Sequence, residues 1–275
     1  MPDGSLINAH TGSITKSKIA RLPDQLTVKF GPSHTIGDFV LRVDRQVREA
    51  GVRLTLSEDF DDLLKLNQAN LDSWYQLVPW INPEYGKLGP GQEFWLRGVD
   101  ANGETVLAHA VRLFLCETSL REEVESLRMV YPDNARRADT NTYAVVTAPS
   151  ASEIKGRISW SGGLWFRPDV RGKGFARLIP PLSRAIALTQ WLPDVHVTYV
   201  TKEKALKGMT QTYGYDGFED GIALYNMRGF PSPFELVVCA KRPDDVVAEM
   251  EEANARFRTM ARLKHVEPAH PQLLN

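Results

Sequence analysis

The sequence predicts a mixed α/β fold of the α+β kind, in which strands and helices are interspersed. Segments that alternate apolar and polar residues, typical of half-buried strands, are interspersed with segments whose apolar residues recur at helical spacing. The turn sequence Asp100-Ala-Asn-Gly103 separates two apolar runs, as in a β-hairpin. Because a hairpin joins antiparallel neighbours, it indicates an antiparallel sheet centre.

Composition limits the possible classes of protein. The 275 residues are 43% hydrophobic and 24% charged, as is ordinary for a globular chain of one large domain, or of one domain with an accessory piece. A formal net charge of −1 lacks the basic surface of a nucleic-acid binder, so we expect no nucleic-acid partner. No basic and apolar leader follows Met1, and no stretch approaches the ~20 apolar residues of a membrane span. We therefore expect a cytoplasmic protein with no membrane partner.

The two cysteines, Cys116 and Cys239, each lie in an apolar strand-like run. They could form a disulfide bond, or one of them could be a reactive thiol. Small buried side chains in a reducing compartment are the favoured interpretation.

The N-terminal part has three predicted elements after a polar arm at residues 1–34. Helical spacing predicts a first helix from about Thr35 to Gly51, and alternation predicts a strand at Val52–Leu56. A second helix is predicted from about Asp59 to Trp74. An aromatic, proline-broken segment, Tyr75–Tyr85, then either covers a ligand site or packs as an ordinary loop.

The hairpin is predicted over Phe94–Phe114, with an amphipathic helical stretch from Ser119 to about Tyr131 and a polar loop after it. Near the end, Phe234–Ala240 is predicted to be a strand. Residues 243–275 are predicted to be a C-terminal helix and tail. The apolar residues of this helix could dock on a second copy of the chain, so a homodimer is possible.

A basic, glycine-rich turn follows the apolar run Leu164–Phe166 and precedes a helix-like stretch that ends at Trp191. Strand, glycine loop and helix together point backbone N–H groups and the positive helix end at a phosphate. The loop therefore predicts a phosphate cradle, and the alternative is a basic turn without a ligand. It is not a P-loop, because Arg167 stands where the first glycine belongs. It is not a dinucleotide fingerprint either, because Arg177 replaces the third small residue.

The loop instead resembles the acyl-CoA loop of the GCN5-related N-acetyltransferase (GNAT) superfamily. That family's pattern is Gln/Arg-x-x-Gly-x-Gly/Ala, which Arg171, Gly174 and Ala176 fill. The resemblance implies that acetyl-CoA is the co-substrate and that no metal takes part. It also implies a GNAT-like sheet that is twisted, mostly antiparallel, flanked by helices and split at the acyl-CoA strand. This sheet would lie within a domain at residues 35–242 that has an insertion at about 117–152.

A second match lies downstream. A predicted strand, His196–Val200, is followed by a helix-like stretch, Lys204–Tyr213. The family's Tyr-x-x-x-Gly-Phe pattern is met by Tyr213, Gly217 and Phe218, in the family's order of motifs. The resemblance is strong over roughly residues 158–240 and weaker, in element order only, over about 52–115.

The resemblance implies which residues bind the cofactor. Backbone groups of the strand would hold the pantetheine arm and polarise the thioester carbonyl, and the loop would bind the pyrophosphate. Gly162 and Gly163 would allow the strand to bulge. The implied cofactor-binding residues are Leu164, Trp165, Phe166, Arg171, Gly172, Lys173, Gly174, Phe175 and Ala176.

The resemblance further implies an N-acetyltransferase whose acceptor is a primary amine of a small molecule or a protein. Tyr213 would be the catalytic acid that protonates the departing thiolate, since a phenol of pKa about 10 stays protonated at neutral pH. The alternative is a tyrosine that only packs at a helix end. Two departures from the family stand against catalysis, because Gly162 replaces a frequent glutamate base and Leu206 replaces a frequent asparagine.

Other interpretations stay open beside the N-acetyltransferase. For His109, His196 and Glu203, the other possible bases, a structural role is favoured over a catalytic one. The protein as a whole could be a non-catalytic acyl-CoA-binding or regulatory module, or it could transfer longer acyl or aminoacyl groups. Pro180-Pro181 implies that the helix after the loop either begins late or is bent.

Overall fold

A computed structural model describes residues 20–133 and 141–265. Most of the predicted N-terminal arm, part of the predicted insertion and the end of the C-terminal tail lie outside these residues. The strands are β1 (Arg53–Ser57), β2 (Glu93–Val99), β3 (Thr105–Cys116), β4 (Tyr143–Val146), β5 (Gly156–Phe166), β6 (Val195–Thr201), β7 (Glu219–Tyr225) and β8 (Phe234–Lys241). The helices are α1 (Ser33–Glu49), α2 (Phe60–Gln68), α3 (Leu120–Glu125), α4 (Ile179–Trp191), α5 (Lys202–Leu206), α6 (Met209–Thr212) and α7 (Pro243–His265).

The eight strands form one sheet in the order β1-β2-β3-β5-β6-β8-β7-β4. Each neighbouring pair is antiparallel except β5 and β6, which are parallel. The parallel pair is joined through α4, because a parallel connection needs a long crossover. The predicted mixed α/β fold with a mostly antiparallel sheet is therefore confirmed.

The central hairpin is β2 and β3, as predicted. The Asp100 carboxylate accepts hydrogen bonds from the backbone N–H groups of Asn102 and Glu104. Gly103 has a φ of +87°, in the left-handed region that favours glycine. The turn residues thus set the antiparallel pairing of β2 with β3.

Two apolar layers cover the sheet. Alternate residues of β3 point to opposite layers, with Ala108 and Ala110 in one and Leu107 and Val111 in the other. The layer of Leu107 is completed by α1, α4 and α7, and the other layer by α2, α3 and the aromatic segment. Because Val246 and Met250 of α7 are buried in the first layer, the C-terminal helix shares the core of the domain.

Helix α2 ends at Gln68, so the predicted extension to Trp74 is wrong. Asn67 explains the early end, since its side-chain amide donates to the carbonyl of Tyr75 at 2.8 Å and accepts from the N–H of Leu77. These bonds fold the following chain back over the helix, and helical spacing alone does not reveal them.

The helix predicted over Lys204–Tyr213 is broken into α5 and α6. Gly208 has a φ of +81° and ends the first of them. Pro180 and Pro181 lie in the first turn of α4, where no intrahelical N–H is needed, so the helix begins late.

The strand β4 lies inside the predicted insertion and was not predicted from the sequence. Among the described residues no helix is both long and apolar enough to cross a membrane.

Candidate active site

The sheet opens between its two parallel strands. β5 and β6 pair over only four positions, from Ile158 opposite Val195 to Ser161 opposite Thr198. Beyond this point β5 continues to Phe166 paired with β3, while β6 continues to Thr201 paired with β8. The two strands therefore separate beyond Ser161 and Thr198 and leave a gap with one strand on each side, which confirms the predicted split of the sheet.

A β-bulge lies on the β5 side of the gap. Ala108 pairs with Trp165 and Ala110 with Gly162, so a single residue of β3, His109, faces two residues of β5. Gly163, in the bulge, has a φ of +63°. The predicted bulge at Gly162-Gly163 is therefore present, and it bends β5 where β6 leaves it.

We expect the bulge to need its glycine. In Gly163→Ala the left-handed φ is strained, and the added Cβ would lie 2.7 Å from Ile81 Cδ1. The free energy of unfolding should fall by about 1–3 kcal/mol, as measured by urea denaturation. Gly217→Ala is the matched control, because Gly217 has an ordinary φ and open space around it. Equal effects of the two substitutions would contradict this role of Gly163.

At position 162, where the family often has a glutamate, an aromatic ring occupies the space that a side chain would need. A Cβ on Gly162 would lie only 2.7 Å from Cζ2 of the Trp160 indole. This indole packs edge-on against Trp80, with ring centroids 5.6 Å apart, and Trp80 packs against Tyr199 at 5.8 Å. These three rings form an aromatic cluster beside the gap, which leaves no room for a longer side chain at position 162.

The aromatic segment is anchored by this cluster. Trp80 and Ile81 are buried, and Arg112, itself buried in a pair with Glu93, donates to the carbonyl of Trp80 at 2.9 Å. This part of the segment packs as core, whereas Tyr75 at its start is 64% exposed.

The glycine-rich loop presents free backbone donors. None of the N–H groups from Gly172 to Ala176 donates a hydrogen bond to any residue that the structure describes. Gly172 and Gly174 have φ values of +77° and +80°, and a Cβ on either would meet nothing within 4 Å. Successive free N–H groups before a helix start are the arrangement that binds anions. The loop therefore has the geometry that a phosphate cradle requires.

The charged residues of the loop contact backbone carbonyls. Arg171 Nε donates to the carbonyl of Phe166 at 3.0 Å, and its Nη2 donates to that of Ser73 at 2.9 Å. Lys173 Nζ lies 3.3 Å from the carbonyl of Ala50. Arg171 thus ties the loop to the end of β5 and to the turn after α2.

The remaining predicted cofactor residues belong to the end of β5 or to the loop itself. Trp165 stacks on Trp74, with centroids 5.1 Å apart, and its indole N–H donates to Ser73 Oγ. Phe175 is buried, and its ring centroid lies 6.1 Å from that of Phe166. Leu164 and Phe166 are partly buried against the layer that contains α4.

Tyr213 follows α6 and is partly buried. Its ring packs against a small cluster that includes Val200 and Val237. Val200 belongs to the part of β6 beyond the split, so Tyr213 lies on the β6 side of the sheet opening and Leu164–Phe166 lie on the β5 side. Burial raises the pKa of Tyr213 to about 12. The structure describes no hydrogen-bond partner for its hydroxyl.

The other titratable candidates have different surroundings. The His196 ring nitrogens lie 2.8 Å from Ser159 Oγ and 3.1 Å from Ser161 Oγ, and burial lowers the pKa of His196. Burial, with the charge of Arg184, lowers the pKa of His109 to about 3. Both imidazoles are therefore neutral at neutral pH. Glu203 is exposed and pairs with Lys207 on the surface of α5.

Burial also raises the pKa of both cysteines, Cys116 and Cys239, to about 12. Both are buried free thiols, as the sequence indicates.

One contact at Tyr213 was missed by the sequence analysis. Arg184 of α4 donates to the backbone carbonyl of Tyr213 and pairs with Glu249 of α7. An arginine in a helix whose neighbours are nearly all apolar or small is a signal that points to such a buried contact.

No protein-family model and no curated protein matches this sequence. Solved structures do match it. Three of the matched structures are a spermidine N-acetyltransferase from Vibrio cholerae in complex with CoA and spermine, an acyl-CoA N-acyltransferase described as putative from Klebsiella pneumoniae, and an uncharacterized protein from Bacillus halodurans.

The identities are 15%, 16% and 12%, and the TM-scores are 0.39, 0.36 and 0.41, in the same order. The matches cover 70%, 70% and 74% of this chain and 98%, 98% and 91% of the matched chains. With TM-scores below 0.5, the fold assignment rests on the strand order and register described above.

Proposed function

We propose that this protein is an acyl-CoA-dependent N-acyltransferase that moves acetyl from acetyl-CoA directly to a primary amine of a small molecule or a protein. One observation supports this above all. The gap between the parallel strands β5 and β6 lies next to a loop before a helix, and five successive N–H groups of this loop donate to no residue that the structure describes. A ligand with a diphosphate at one end of a long thin arm is complementary to such a loop and gap.

In this proposal the N–H groups of Gly172–Ala176 bind the pyrophosphate, and Lys173 adds positive charge. Arg171 holds the loop in place through its bonds to Phe166 and Ser73. The amides of the pantetheine arm pair with the edge of β5 that faces the gap, over Leu164–Phe166. An extended arm that adds to a free strand edge gains backbone hydrogen bonds in the manner of an extra strand.

The chemistry follows from the two sides of the gap. The amine nitrogen attacks the thioester carbonyl, whose oxygen is stabilised by backbone N–H groups at the bulge, and the carbon–sulfur bond breaks. The leaving thiolate takes the proton of the Tyr213 hydroxyl, which burial keeps protonated at neutral pH. The proton that the amine nitrogen loses goes to water, and Tyr213 is reprotonated from solvent.

A second candidate is a non-catalytic acyl-CoA-binding module. The filling of position 162 by the Trp160 indole favours it, since a carboxylate base has no room there. Both candidate functions require that the protein binds CoA, but only the N-acyltransferase transfers the acyl group and releases free CoA.

The test is to measure CoA binding by calorimetry and thiol release from acetyl-CoA across a panel of primary amines. Under the proposed function, CoA at 100 times its Kd stabilises the fold by about 2.7 kcal/mol, and at least one amine releases free CoA. Binding without release in a broad panel would favour the module. No binding of CoA would contradict both candidates.

A further inference from the structure

A buried ion pair connects α4 and α7 beneath the turn that contains Tyr213. The Arg184 side chain has no exposed surface, and its Nη2 lies 2.7 Å from Glu249 Oε1 while its Nε donates to Oε2 at 3.1 Å. Lys241 Nζ of β8 lies 3.4 Å from the same carboxylate. The carboxylate therefore lies between two cations, and we refer to Arg184, Lys241 and Glu249 as the clamp.

The clamp contacts the turn that holds Tyr213, residues 213–215. Arg184 Nη2 donates to the carbonyl of Tyr213 at 2.8 Å, and the Arg184 guanidinium lies 4.6 Å from the centroid of the Tyr215 ring. Gly214, between the two tyrosines, has a φ of +86°, and a Cβ there would lie 2.8 Å from Arg184 Nη2. The turn is thus held by one guanidinium at its first and third residues.

Stability alone does not account for the clamp. Replacing a buried ion pair by apolar residues of similar volume is often neutral or stabilising, because the charges lose their hydration. In the described part of the chain, Arg184 Nη1 is also buried without a hydrogen-bond partner, which adds to the cost. The planar guanidinium of Arg184 has several donors in a fixed arrangement, so it binds the Glu249 carboxylate and the Tyr213 carbonyl in one geometry.

We infer that the clamp positions the Tyr213 hydroxyl for the proposed reaction, so that α7 belongs to the catalytic scaffold. This inference rests on the proposed function. Arg184 lies in α4, the helix that begins just after the glycine-rich loop, so a single rigid helix relates the phosphate site to the tyrosine. A displacement of about 1 Å in a reacting group costs about 10²-fold in rate.

The test replaces the whole clamp by apolar residues, with Arg184→Met, Lys241→Met and Glu249→Leu in one variant, so that no buried charge is left unpaired. We expect CoA affinity to be kept and kcat to fall about 10²-fold. In a Tyr213→Phe background the same replacement should have no further effect on kcat, since it acts through the hydroxyl. The control is Glu252→Gln, on the exposed side of α7, where Glu252 pairs with Arg256 on the surface.

An unchanged kcat in the folded variant would overturn the inference, and so would an equal fall in the Tyr213→Phe background. If the apolar variant does not fold, Glu249→Gln takes its place with the same two criteria. If the unmodified protein shows no turnover, the proposed function fails, and ¹³C NMR of labelled tyrosine decides about the clamp. A shifted Tyr213 signal in Glu249→Gln then supports positioning, and a signal at the original place overturns it.

Discussion

Tyr213→Phe should leave the fold and CoA affinity intact while turnover falls by about 10²–10⁴-fold, the range typical of losing a general acid. The ring still fills its place against the Val200 cluster, and the hydroxyl that is lost has no described hydrogen-bond partner. The Kd for CoA should change little, because the bound ground state needs only weak contact between the Tyr213 hydroxyl and the sulfur. The measurement is kcat by thiol release, together with Kd by calorimetry.

The control for this variant is Tyr215→Phe, two residues along the same turn, where the ring is buried over Arg184. It should affect turnover much less. If Tyr213→Phe turns over at the original rate with a good amine, Tyr213 has only a packing role. Single-turnover measurement removes the masking effect of a slow product-release step.

The pH dependence of kcat gives an independent check on Tyr213. Burial raises its pKa to about 12, so the phenol keeps its proton at neutral pH and loses it only as the pH rises towards that value. We therefore expect no loss of kcat from this group below about pH 11, one unit under its pKa. A descending limb near pH 8–9 that disappears in Tyr213→Phe would contradict the assigned pKa and role.

Gly174→Glu should abolish the rise in Tm that CoA produces. The loop is open at this position, so the new side chain meets no protein atom within 4 Å, but it places a negative charge where the pyrophosphate is proposed to bind. Like-charge repulsion and the displacement of the pyrophosphate from the loop N–H groups together should cost about 3 kcal/mol or more, which is about 10²-fold in Kd. Thermal shift and calorimetry with CoA measure it.

The left-handed φ of +80° at Gly174 calls for a second variant. Gly174→Asn carries no charge, and asparagine adopts this region more readily than other residues. It should keep most of the CoA-induced shift. A folded Gly174→Glu protein with an unchanged shift would remove the phosphate cradle from the proposal.

The sequence alone determined the features that depend on near neighbours in the chain. The hairpin turn at Asp100–Gly103 and the glycine positions of the loop follow from backbone preferences of a few adjacent residues. The mixed α/β class follows from local periodicity. The roles of the loop residues and of Tyr213 stay predictions, since they rest on the motifs and on chemistry that has yet to be measured.

Only the tertiary structure decided the features that join distant residues. The gap depends on how far β5 and β6 pair, and the filling of position 162 depends on how the Trp160 indole folds back over its strand. The contact from Arg184 to Glu249 spans 65 positions of sequence. Local preference says little about such contacts, because a side chain's partner is set by which elements the whole fold brings together. The bond from Arg171 to the carbonyl of Ser73, 98 positions away, has the same origin.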